Sequence, residues 1–180
     1  MNGLNRAIVA RVAGVAAVAA ATLIAGFEGW KNDVYVDPVG RLAVCAGHDS
    51  TGPDGKPLKL GTRYTDDVCS YLLGEDVATA QAAVDRAVTV PLSYGEQTAY
   101  TSFVYNLGVG NFRSSTMLRK LNAGDHVGAC RELPRWNKGT IDGKKVVLPG
   151  LVKRRDAEMQ ACLSALGYSD KSAPISRILS

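Results

Sequence analysis

Residues 26–37 read GFEGWKNDVYVD. Glu28 stands directly after a long Ala- and Val-rich run, and Asp37 follows in a polar stretch punctuated by Pro38 and Gly40. Two carboxylates this close suggest acid/base work on an acetal. An inverting glycosidase needs one proton-carrying acid and one carboxylate about 6.5–9.5 Å apart, leaving room for water. Glu28 is the better acid, because Phe27 and Trp30 flank it and an apolar setting lets a carboxyl keep its proton near neutrality. Asp37, in a polar turn, is the better carboxylate. Two surface acids would show the same spacing, so the spacing alone leaves both readings open.

On either side of the Pro38–Gly40 turn, Val34, Val36, Leu42 and Val44 alternate, which predicts two short strands. Residues 49–62 form a Gly- and Pro-rich loop. From Thr65 the pattern turns helical. Thr65 is a capping residue, Asp66 and Asp67 suit a first turn, and Val77, Ala80, Val84 and Val88 share one face. Pro91 stops that run. Ser93 and Glu96 have the spacing of a capping box, followed by Ala99, Phe103, Val104 and Leu107, until Gly108 and Gly110 break the chain. Further helices fit residues 115–122, 125–133 and 150–165. The expected architecture is α+β: a small β-hairpin lobe, a mostly helical C-terminal lobe, and a cleft between them suited to an extended substrate.

The chain has 180 residues, enough for one domain with an appendage, and a formal net charge of +4. That modest excess suits an anionic polymer without selecting one. No basic stripe interleaves with aromatics, so nucleic acid is not an expected partner. The four cysteines, Cys45, Cys69, Cys130 and Cys162, form no CxxC pair, and His48 and His126 complete no zinc pattern, so no metal or cofactor is expected. The even count fits two disulfides in an exported chain, or buried thiols in one that stays inside.

At the N-terminus, Arg6 and Arg11 precede an uncharged run from Val12 to Phe27. A basic start followed by an apolar body is the pattern of a secretory signal. The body is rich in Ala and Gly and shorter than the roughly 20 apolar residues of a comfortable spanning helix. The basic end predicts a cytoplasmic N-terminus and an exported remainder. A cleaved signal, a permanent anchor and a weak anchor that later leaves the bilayer all fit. Small side chains favour the last, since each buries little apolar area and returns to water at low cost.

Residues 27–48, FEGWKNDVYVDPVGRLAVCAGH, resemble the active-site hairpin of the phage-type lysozymes, glycoside hydrolase family 24. Glu28, Gly29, Asp37, Gly40, Gly47 and His48 sit at matching positions. SFVYNLGVGNFRSSTMLRKLNAGD (residues 102–125) is similar to the family's helix, loop and Ser-Thr helix. ACRELPRWNKG followed by LPGLVKRRDAEMQAC is similar to its C-terminal signature. The resemblance spans residues 24–165 and implies a lysozyme-like fold. It implies Glu28 as the general acid and Asp37 as support for the water or the developing oxocarbenium charge. It implies a structural pairing of His48 with Asp76, and it places Asn106 and Trp136 near the cleft, touching sugar, orienting the hairpin or packing. Arg154 and Arg155 are expected to hold helix contacts rather than substrate, and Tyr100 and Tyr105 to be core or rim. The pairings Cys45–Cys69 and Cys130–Cys162 also follow from it.

One position departs from the pattern. The family's Thr, which helps hold the attacking water, is Ala43 here. The implied activity is hydrolysis of the β-1,4 bond between N-acetylmuramic acid and N-acetylglucosamine in peptidoglycan, for host lysis. Ala43 keeps two other readings open, a lytic transglycosylase and a weakened wall-binding relic. A membrane-active peptide fused to a structural domain is a further one.

The apolar run leading straight into Glu28 resembles signal-anchor-release endolysins. On that resemblance, residues 1–27 are a signal-anchor segment, 28–165 a catalytic domain and 166–180 a tail. Residues 7–27 would hold the chain at the host inner membrane before it becomes soluble in the periplasm, with a monomer as the default state.

Overall fold

The computed structural model describes residues 3–168 apart from 38, 39, 50 and 142. The tip of the Pro38 turn and residues 169–180 of the expected tail therefore lie outside the described residues. Helix α1 (Gly3–Glu28) is continuous and ends on the acid itself. Strands β1 (Lys31–Val36) and β2 (Leu42–Cys45) pair antiparallel, with Tyr35 opposite Ala43 and Val36 opposite Leu42. Helices α2 (Asp66–Ala87), α3 (Tyr94–Ser114), α4 (Thr116–Asn122), α5 (His126–Cys130) and α6 (Pro149–Ser164) make the larger lobe. A second hairpin, β3 (Lys138–Ile141) and β4 (Lys144–Val147), precedes α6.

The caps form where local chemistry puts them. The Thr65 side chain accepts from the Val68 N–H to open α2. Ser93 and Glu96 satisfy each other's backbone donors in a full capping box at the head of α3. Two elements differ from the sequence reading. Helix α3 does not stop at Gly108; it kinks there, where Gly108 takes φ 81°, and resumes to Ser114. The β3–β4 hairpin falls in a stretch to which the sequence reading assigns no element, although Asp142–Gly143 is a strong two-residue turn signal.

Among the described residues, three apolar clusters hold the molecule together. The largest joins α2 through Ala80 and Val84, α3 through Tyr100 and Phe103, and α5 and α6 through Cys130 and Cys162. A smaller one packs Val34, Val44 and Cys45 of the first hairpin on Cys69 and Leu72 of α2. The third seats Ala20 and Ile24 of α1 on Ala46, Leu73 and Val77. The docked face of α1 repeats every four residues as Ala16, Ala20 and Ile24, all essentially inaccessible. Val15 and Val18 look outward. Among the described residues no helix is long and apolar enough to cross a membrane.

The disulfides are Cys45–Cys69, between β2 and α2, and Cys130–Cys162, between α5 and α6. These are the pairs implied by the resemblance. They close segments separated by 24 and 32 residues. Each contributes about 3 kcal/mol by restricting the unfolded chain.

Candidate active site

Glu28 is the last residue of α1, and the chain leaves it through Gly29 at φ 72°, a left-handed value that a side chain would strain. Its side chain is 24% exposed. A Cβ added to Gly47 would stand 3.8 Å from Glu28 Oε2, so the end of the first hairpin closes against the acid. Arg154 of α6 donates from Nη1 to Glu28 Oε1. The guanidinium also lies 5.8 Å from the Phe27 ring centroid. Residues 126 positions apart thus meet at one carboxylate.

This differs from the apolar setting expected around Glu28. Phe27 and Trp30 are 36% and 39% exposed. The Trp30 indole N–H turns away to donate to Asp66 Oδ1 at 3.0 Å, and Asn32 donates to the same oxygen at 2.7 Å. Those two donations hold the Asp66 carboxyl below its usual value. The group in contact with Glu28 is a buried cation. The negative end of the α1 dipole and the Arg154 charge act on Glu28 in opposite senses.

Asp37 follows β1 and shapes the turn it enters. Its Oδ1 accepts from the Arg41 N–H at 2.7 Å, and its own N–H donates to the Arg41 carbonyl at 2.8 Å. Tyr35 connects the two acids electrostatically. Burial raises its hydroxyl pKa first, and the charges of Glu28 and Asp37 raise it further. Ala43, opposite Tyr35, is 2% exposed and offers a methyl group where the family's Thr would offer a hydroxyl.

A cleft of about 360 Å³ continues from Gly47 between the first hairpin and helices α2 and α3. His48, Asp49, Asp76, Thr79, Val104, Tyr105 and Val109 are among its walls. Tyr105, one of these walls, links α3 to the end of the first hairpin, its hydroxyl donating to the Ala46 carbonyl at 2.8 Å. Burial drives the pKa of that hydroxyl far above its usual value, so it stays a neutral donor.

His48 anchors the hairpin to α2. Nδ1 meets Asp76 Oδ2 at 2.8 Å and Nε2 meets the Thr51 carbonyl at 2.7 Å. Acceptors at both ring nitrogens favour the doubly protonated imidazolium. The Asp76 hydrogen bond is the largest cause raising the His48 pKa, while partial burial opposes it. A raised folded-state value stabilises the protein fully below the unfolded histidine value of about 6.5, and the contribution is lost as pH rises through the folded value. Asp76→Asn is therefore expected to destabilise by about 2 kcal/mol at pH 5 and clearly less at pH 9. Thermal melts at the two pH values measure the difference.

Asn106 and Trp136 sit on the α3 side. Asn106 Oδ1 accepts from Arg155 Nη2 at 3.0 Å. Trp136 packs edge-on to Phe103 with centroids 5.3 Å apart. The structure gives Asn106 a hydrogen bond to α6 and Trp136 a ring contact with α3. Arg154, like Arg155, is expected from the sequence to hold helix and C-terminal contacts rather than substrate. It keeps such contacts through Ser102, and it also touches Glu28. Only the paired arginines in the C-terminal signature hinted at it.

A family model described as Phage lysozyme matches residues 25–158. The SAR-endolysin of Bacteriophage PS119 is 40% identical over 166 residues, covering 89% of this chain and 94% of that protein. Among solved structures, the endolysin from Escherichia coli O157:H7 phage FAHEc1 aligns with a TM-score of 0.74 at 35% identity, over 82% of this chain and 92% of that one. A mutant of P22 lysozyme aligns at 0.70 and 29% identity, over 80% and 94%.

Proposed function

The chain belongs to the phage lysozyme family and is an endolysin-type glycoside hydrolase, and from that premise we propose that it cleaves the β-1,4 bond between N-acetylmuramic acid and N-acetylglucosamine in peptidoglycan. The observation that carries this reading is the placement of Glu28. It is half-buried at the end of a helix and close to Gly47, just past the hairpin that bears Asp37, and Gly47 in turn lines a cleft of about 360 Å³. Glu28 gives its proton to the leaving glycosidic oxygen. Asp37 supports the attacking water and the charge that develops on the sugar ring. Ala43 supplies no side-chain hydrogen bond, so Asp37 and backbone groups hold that water.

Ala43 also gives a second reading a specific basis, a transglycosylase in which the sugar's own 6-hydroxyl attacks and no water is needed. Mass analysis of the sugar ends after digestion of Gram-negative peptidoglycan separates the two. Reducing muramic ends are expected. Anhydro ends, lighter by one water, would replace hydrolysis with transglycosylation. Intact glycan would sink both.

The same proposal includes the N-terminus, with residues 1–27 as a weak signal-anchor, 28–165 as the catalytic domain and 166–180 as a tail. Residues 7–27 tether the exported chain to the inner membrane, and a monomer is then released into the periplasm. The docked face of α1 supports this reading. Ala16, Ala20 and Ile24 pack against protein only when the segment is out of lipid, and Glu28 rides on that segment. While the segment is held at the membrane, the acid is out of place. Cell fractionation is expected to show the full-length chain moving from membrane to soluble fraction on depolarisation. A chain shortened at its N-terminus from the outset would refute the tether.

A further inference from the structure

Helix α6 sets Arg154 and Arg155 side by side, 2% and 0% exposed, with Glu158 one turn on at 0%. A single oxygen, Glu158 Oε1, accepts three hydrogen bonds. They come from Ser102 Oγ at 2.7 Å, Arg155 Nη2 at 2.9 Å and Arg154 Nε at 3.3 Å. Arg154 Nη2 adds a hydrogen bond to the Ser102 carbonyl at 3.3 Å, while Nη1 reaches Glu28. Arg154 is thus held between two carboxylates, one fully buried and one at the cleft.

We propose that Glu158 is a positioning residue for Glu28, holding Arg154 in place behind the acid and cancelling the second arginine charge beside it. The inference rests on the reading of Glu28 as the general acid. A general acid must carry a proton before it can donate one. With Glu28 ionised, the two arginines and two carboxylates sum to zero charge. Without Glu158 the same cluster holds one uncompensated positive charge in a low-dielectric setting, which opposes protonation of Glu28.

The surroundings fit this role. Facing Glu28 are Arg154 and, farther off, Arg155 of α6, Tyr105 of α3 and Tyr35 of β1, with Asp37 beyond Tyr35. Facing Glu158 are Arg154 and Arg155 from its own helix and the Ser102 hydroxyl from α3. Burial is the largest influence on the Glu158 carboxyl and leaves its pKa raised, against the opposing pull of the two guanidiniums and the Ser102 hydroxyl. Geometry decides for the carboxylate. Three donors converge on Oε1, while Oε2 is buried with no hydrogen-bond partner among the described residues. Arg155 is pulled down by burial only to about 10, so it remains a cation at neutral pH.

The test is the alkaline limb of the pH–activity profile on purified peptidoglycan, which follows the protonated acid. Four full-length proteins are compared: wild type, Glu158→Gln, Arg155→Met, and the double variant. Glu158→Gln is expected to move the limb down by about one pH unit, and Arg155→Met to move it up. The double variant restores the charge sum and is expected to return the limb close to wild type. Replacing a buried pair by neutral groups is often tolerated, so if the single Glu158 variant does not fold, Arg155→Met and the double variant decide. Limbs that coincide in all folded variants, with only the amplitude changed, overturn the proposal. Full activity of Glu28→Gln would overturn instead the underlying assignment of the acid.

Discussion

Glu28→Gln is expected to lower peptidoglycan hydrolysis by about a thousandfold while the protein stays folded. The amide preserves the shape of the side chain and still offers an oxygen to Arg154, so that contact persists in weakened form. What is lost is the proton for the leaving oxygen, and general acid catalysis contributes roughly a factor of 100 to 10,000. Turbidity loss of chloroform-treated Gram-negative cells reads the rate, and a melting curve confirms that the fold survives. Substantial residual hydrolysis in a folded variant would remove Glu28 from the reaction. A wall-binding protein or a membrane-active peptide would keep its effect in this variant, so the same substitution separates the enzyme from those readings.

The second large effect is structural. Gly95 lies in the first turn of α3, where that helix crosses α6. A Cβ placed there would stand 2.2 Å from the Ala161 carbonyl oxygen and 2.6 Å from Ala165 Cβ. Alanine ordinarily favours a helix over glycine by about 1 kcal/mol. Here the obstacle is backbone, so the two helices must separate and the core between them loosens. Gly95→Ala is expected to destabilise by about 3 kcal/mol and lower Tm by roughly 6–12 °C. Gly74 is the control. It is exposed on α2 with nothing within 4 Å of its would-be Cβ, so Gly74→Ala should stabilise by up to about 1 kcal/mol. Equal behaviour of the two variants would mean that the close crossing is not maintained in solution.

The legible parts of this protein are the local ones. The caps at Thr65 and at Ser93–Glu96 are readable because donor and acceptor lie within one turn. The alternation around the first hairpin is readable because period two survives over a few residues. Resemblance adds the pairs that are distant in sequence, such as His48 with Asp76 and the two disulfides. The contact of Arg154 with Glu28 escapes both routes. It exists only because α1 and α6, at opposite ends of the chain, converge on one point, and beyond the paired arginines nothing local in either helix marks it. The kink at Gly108 is half legible. Glycine announces the left-handed step, but only the packing around α3 decides that the helix resumes afterwards. The alanine face of α1 is ambiguous in principle, because one pattern serves both a lipid surface and a protein groove.

One helix, α2, takes part in all three apolar clusters. Cys69 and Leu72 face the first hairpin, Leu73 and Val77 face α1, and Ala80 and Val84 face the main helical core. The backbone leaves the first hairpin by two routes, the loop that leads into this helix and the short step through Gly29. One disulfide pins the hairpin to the near end of that shaft; the other lies wholly within the far body. Mechanically, the crosslinks harden each jaw and leave the joint between them unlocked. Reductant should make the jaws softer without changing how far they can part.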